Sequence, residues 1–97
     1  MKKILITGAS DGIGKALALM LDEKGYKTYL FGRNPEKLNS LKLNNCLKKY
    51  AFDLKDRDKL NEALNDIRLS GGVDILINNA GFNYKKRRSK RYKHLRS

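Results

Sequence analysis

The stretch Lys2-Lys3-Ile4-Leu5-Ile6-Thr7-Gly8-Ala9-Ser10-Asp11-Gly12-Ile13-Gly14 decides the reading of this chain. Ile4, Leu5 and Ile6 form a short apolar run of the kind a strand covered on both faces shows. Gly8, Gly12 and Gly14 space a turn, and an amphipathic helix pattern starts at once. A helix N-terminus carries unpaired backbone N–H groups and the positive end of the helix dipole, so it attracts phosphate. Glycines let the backbone turn tightly and come close to a pyrophosphate. The stretch therefore predicts a nucleotide site.

Working outward, the apolar residues Ile13, Ala16, Leu17, Met20 and Leu21 fall at helical spacing and predict one buried helix face over Gly12–Lys24. Gly25 supplies the stop. Lys27–Phe31 reads as a second strand, Gly32-Arg33-Asn34 as a turn, and Pro35 as the first turn of a short helix reaching about Leu43. Leu47–Phe52 is the third strand candidate, with Lys48 and Lys49 inside it. Asp53–Asp58 open the next helix, with Leu60, Ala63, Leu64 and Ile67 on one face and Asp56 or Asp58 as cap. Gly71-Gly72 end it, Val73–Ile77 is the fourth strand, and Asn78-Asn79-Ala80-Gly81 leaves it as a loop.

Strands alternating with helices imply an α/β fold, a Rossmann-like parallel sheet with helices on both faces. Right-handed crossovers give the strand order 3-2-1-4. The first and fourth strands then lie side by side where the winding reverses, and ligands of such sheets bind beyond the carboxyl ends there. The glycine turn and Asn78–Gly81 both leave carboxyl ends at that point.

Composition bounds the rest. The 97 residues are 40% hydrophobic, enough for one small core. No apolar run reaches membrane-spanning length, so no membrane partner is expected. Met1-Lys2-Lys3-Ile4 begins like a signal peptide, but the apolar run stops at Ile6 and a strand is the better reading. Cys46 is the only cysteine, which predicts a buried or half-buried thiol in a reducing, cytoplasmic setting. The net charge of +12 is uneven: residues 1–83 hold 14 Lys/Arg against 10 Asp/Glu, and residues 84–97 hold 8 basic residues and no acid. The division is thus 1–83 as a nucleotide-binding half-domain and 84–97 as a basic tail outside the fold.

The spacing Thr7-Gly8-x-x-x-Gly12-x-Gly14 differs from the general dinucleotide fingerprint. Together with Asn78-Asn79-Ala80-Gly81 it resembles the short-chain dehydrogenase/reductase family, classical type, over residues 2 to about 83. The resemblance implies that Gly8, Gly12 and Gly14 form the turn under a cofactor pyrophosphate. Ser10 would donate to a phosphate, Ile13 would offer its backbone N–H, and Thr7 would bridge strands. In this family an acid at the end of the second strand accepts from the adenine ribose of NAD. Gly32 fills its place and Arg33 follows, and a guanidinium fork suits a 2′-phosphate, which favours NADP over NAD. Asp11 argues the other way, since some NADP-preferring relatives carry a base there; Lys37 is either an assistant or a surface charge. Asp53 would take the adenine amino group, with Leu54 beside it, and Asn79, Ala80 and Gly81 would line the adenosine side. Asn78 or Asn79 would also hold neighbouring strands together through its amide.

The family transfers hydride between a nicotinamide and a carbonyl or alcohol, using a tyrosine with a lysine four residues later and a serine. Here Tyr26, Tyr29, Tyr50, Tyr84 and Tyr92 are followed at that spacing by Leu30, Arg33, Leu54, Arg88 and Arg96. No catalytic residue is therefore assigned. The expectation is the cofactor half of such an enzyme, inactive alone, its tail the product of truncation or a frameshift near Asn83–Lys86. Its apolar fourth strand is then an exposed edge open to self-association. The alternative is a non-catalytic nucleotide- or nucleic-acid-binding protein whose tail, with Tyr84 and Tyr92 among its bases, neutralises phosphates and stacks on bases. An inert gene remnant is a third reading. His94, the only histidine, reads as a solvated side chain, and no metal set is present in the sequence.

Overall fold

The computed structural model describes residues 2–80. The chain runs β1 (Lys3–Thr7), α1 (Gly12–Glu23), β2 (Lys27–Gly32), α2 (Pro35–Asn39), β3 (Cys46–Ala51), α3 (Arg57–Leu69) and β4 (Ile75–Asn78). The four strands make one parallel sheet in the order β3-β2-β1-β4, as the alternation predicts. β1 lies between β2 and β4, with Leu5 opposite Tyr29 on one side and Leu76 on the other.

Side chains alternate across a strand, so β1 feeds two cores. Ile4 and Ile6 pack with Leu30, Ala18, Leu38 and Leu41 on the side of α1 and α2. Leu5 packs with Tyr29, Phe31, Phe52, Ala63 and Ile67 on the side of α3. Aromatic rings fill the second core: Phe31 meets Tyr50 edge-on at 5.4 Å and Phe52 at 5.0 Å between centroids. Two apolar layers on one sheet are what a doubly wound fold requires.

Three expectations change. The buried face of α1 is Gly14, Ala18 and Asp22, with Leu17 and Leu21 half-buried. Ile13 (68%) and Met20 (43%) are exposed instead, and Ala16 with them. At Gly14 the helix passes too close to the Gly8 carbonyl for any side chain to fit between. In α3, Ala63 and Ile67 are buried and Leu60 partly so, but Leu64 is exposed. α2 stops at Asn39 and does not reach Leu43. The segment after it is held by another helix: the buried Asp22 carboxylate accepts from the backbone N–H of Asn44 (2.9 Å) and of Asn45 (2.7 Å). Those donors are satisfied without helical pairing. Leu38 and Leu41 remain in the core.

β4 starts two residues later than Val73 and takes in Asn78, which pairs with Thr7, while the helix caps and stops follow the sequence signals. Asn34 caps α2 by accepting from Lys37 N at 3.0 Å, and Asp56 caps α3 by accepting from Lys59 N at 3.2 Å. Gly71 and Gly72 close α3 at φ +109° and +76°. Lys48 and Lys49 sit in β3 because it is an edge strand among the described residues. Lys48 pairs with Asp66 at 3.0 Å, and Lys49 donates to the Leu41 carbonyl at 2.8 Å. β4 is the other edge. Its Ile75 (40%) and Leu76 (58%) are exposed, while Ile77 packs against the α1 core. Among the described residues no helix is long and apolar enough to cross a membrane.

Candidate functional site: the crevice between the glycine turn and the end of β4

β1 ends at Thr7 and β4 at Asn78, and these two residues are paired in register. Thr7 Oγ1 donates to Asn78 Oδ1 at 2.9 Å and accepts from Ala80 N at 3.0 Å. One buried hydroxyl thereby fixes both the strand end and the loop after it. The sequence assigned Thr7 this bridging role. Asn79 crosses the same gap, donating its amide to the Gly8 carbonyl at 3.3 Å.

The glycines are sterically required where the two segments meet. Gly8 sits at φ +65°, and a Cβ there would lie 2.9 Å from Asn79 Nδ2 and 3.2 Å from the Ala80 backbone. A Cβ on Gly14 would collide with the Gly8 carbonyl and lie 2.8 Å from Asn79 Nδ2. Gly12, at φ +60°, is different: a side chain there would meet nothing within 4 Å. Gly12 is therefore open to solvent at the start of α1. Asp11 precedes the helix in extended conformation, yet its carboxylate makes no cap bond to the first turn. The first-turn amides are thus left without a side-chain acceptor. A backbone cradle with room in front of it and no protein cap fits a dinucleotide pyrophosphate.

The turn is also tied to β2. Ala9 N donates to the Phe31 carbonyl at 2.9 Å. Ser10 is buried, and its Oγ lies 2.9 Å from the position a Gly32 Cβ would take. Leu38 Cδ1 lies 3.2 Å from the same point. With glycine here the strand end holds no carboxylate, and a larger residue would have to shift the Ser10 hydroxyl or the Leu38 side chain. Arg33 follows it and is exposed. Arg33, Asn34, Pro35 and Glu36 line an open depression of about 540 Å³. A larger one, about 910 Å³, is lined by Asn39, Leu41, Lys42 and residues up to Lys49. It belongs to the α2–β3 connection and the body of β3, away from the glycine turn.

Of the other residues singled out in the sequence, Ile13 is exposed at the start of α1. Asp53 is exposed just past β3, with Oδ1 accepting from Lys55 N at 2.9 Å. Leu54 is partly buried and packs against the α3 core. Asn79 and Ala80 are half-buried at the crevice, while Gly81 and the tail from Tyr84 lie outside the described residues. A contact between Lys37 and Asp11, at 3.4 Å, was not foreseen; the partners are 26 residues apart and no local pattern links them.

The displaced acid–base groups lie on β3 and α3. Burial pushes the Tyr50 hydroxyl well above the usual phenol range, and its 2.6 Å bond to Asp66 adds to this. The same bond, with help from Lys48, lowers the Asp66 carboxyl. Burial raises the half-buried Cys46 thiol. No cluster of three or more metal-ligating side chains occurs among the described residues.

A parallel sheet wound in both directions, with a glycine cradle at its switch point, defines a dinucleotide-binding α/β protein. Residues 2–95 match the short chain dehydrogenase family, and the chain belongs to it. The match runs past residue 83, where the motif resemblance ends. The chain is 40% identical over 94 residues to dehydrogenase/reductase SDR family member 7B of Xenopus laevis, covering 84% of this chain and 29% of that protein. It is 37% identical over 84 residues to an uncharacterized oxidoreductase of Staphylococcus aureus (strain USA300), covering 82% of this chain and 36% of the other. The crystal structure of a short-chain dehydrogenase/reductase from Vibrio parahaemolyticus superimposes with a TM-score of 0.73 at 28% identity, over 93% of this chain and 47% of that one. The chain thus spans about a third of the length of these two curated relatives, 29% and 36%.

Proposed function

We propose that this chain holds NADP in preference to NAD, as the cofactor-binding part of a short-chain oxidoreductase. The observation that carries the reading is the end of β2. Glycine at position 32, set against Ser10 and Leu38, presents no ribose-binding acid, and Arg33 stands exposed beside it. A guanidinium presents a planar fork that matches a phosphate and has no acceptor for a ribose hydroxyl.

In this reading Gly8, Gly12 and Gly14 admit the pyrophosphate, Ser10 and the Ile13 N–H donate to it, and Arg33 takes the 2′-phosphate. Asp53, with Leu54 behind it, meets the adenine, and Asn79, Ala80 and Gly81 flank the adenosine. A nicotinamide held there would supply hydride exchange with a carbonyl or alcohol carbon. That exchange needs a proton donor at the substrate oxygen, and the 97 residues hold no Tyr-x-x-x-Lys pair to provide it. The proposal for these residues alone is therefore binding without turnover.

The test is a fluorescence titration of the full chain with NADPH. Arg33→Ala is expected to weaken NADPH about tenfold or more, in line with about 1.5–3 kcal/mol for a charge-assisted hydrogen bond, and to leave NADH unchanged. An equal effect on both cofactors, or none on NADPH, contradicts the assignment.

A further inference from the structure

We draw no further inference here: the strongest candidate, the open depression of about 910 Å³ between the α2–β3 connection and β3, carries nothing, because two of its three lysines are already engaged, Lys48 by Asp66 and Lys49 by the Leu41 carbonyl, and Cys46 in its wall is a lone half-buried thiol with no second feature that points to a ligand.

Discussion

Asn79 donates its side-chain amide to the carbonyl of Gly8 at 3.3 Å, joining the loop after β4 to the turn after β1 across 71 residues of sequence. The same amide nitrogen occupies the space that a Cβ on Gly8 or on Gly14 would need. The two family motifs are therefore one packed unit.

Gly8→Ala is expected to disrupt both the fold and the cradle. A non-glycine residue in the left-handed region costs about 1–2 kcal/mol, before the contact with Asn79 is counted. The thermal midpoint is expected to fall, and dinucleotide binding with it. Asn79→Ala removes the obstruction, so it is expected to recover part of the stability lost in Gly8→Ala. A double-mutant cycle of unfolding free energies checks this.

Asp22 is the second structural anchor. Its buried carboxylate holds the amides of Asn44 and Asn45, which precede β3. Asp22→Ala leaves both donors unpaired and is expected to cost about 1.5–3 kcal/mol in urea unfolding. Asp22→Asn, which keeps one acceptor, is expected to cost less. Dinucleotide affinity measured where both variants remain folded is expected to be unchanged, because Asp22 lies at the far end of α1 from the cradle.

The Tyr50–Asp66 bond predicts an acid-dependent loss of stability. The folded Asp66 carboxyl sits below its ordinary value, chiefly because Tyr50 donates to it. A depressed carboxyl contributes stability that is present above the unfolded value, about 3.9, and lost as pH falls through the folded one. Thermal midpoints of the wild type and Tyr50→Phe are expected to converge as the pH drops from 6 towards 2. Parallel curves contradict the linkage.

β4 leaves Leu76 and Ile75 exposed on a strand whose outer edge is unpaired among the described residues. Such edges recruit other strands. The chain is expected to self-associate with rising concentration, and Leu76→Lys to shift sedimentation towards the monomer. A wild type that stays monomeric through the same range contradicts this.

Much of this architecture is legible in the residues because periodicity and turn chemistry agree there. Ile4–Ile6 reads as a doubly covered strand, and the structure divides Ile4 and Ile6 from Leu5 between two cores. The burial of α1 was not legible. Counting apolar positions selects Ile13 and Met20, but the buried face is Gly14, pressed against the Gly8 carbonyl, and Ala18, packed on Ile4 and Ile6. Hydrophobic periodicity shows which residues are apolar, and backbone separation decides which face has room. α2 fails for a related reason. Asp22 satisfies the amides of Asn44 and Asn45 from 22 and 23 residues away, and no local pattern carries that. At the site, the glycines and Asn79 were readable as motifs, because together they resemble a known family pattern. The collision of a Gly32 side chain with Ser10 and the Lys37–Asp11 pair depend on tertiary contact and were not.

The most direct measurement is the relative affinity of the unmodified chain for NADPH and NADH, by competitive titration at one ionic strength. With no acid at position 32 and Arg33 beside it, NADPH is expected to bind about tenfold tighter or more, and the margin to shrink as salt screens the exposed guanidinium. NADH binding as tightly as NADPH, at low salt, would contradict the assignment.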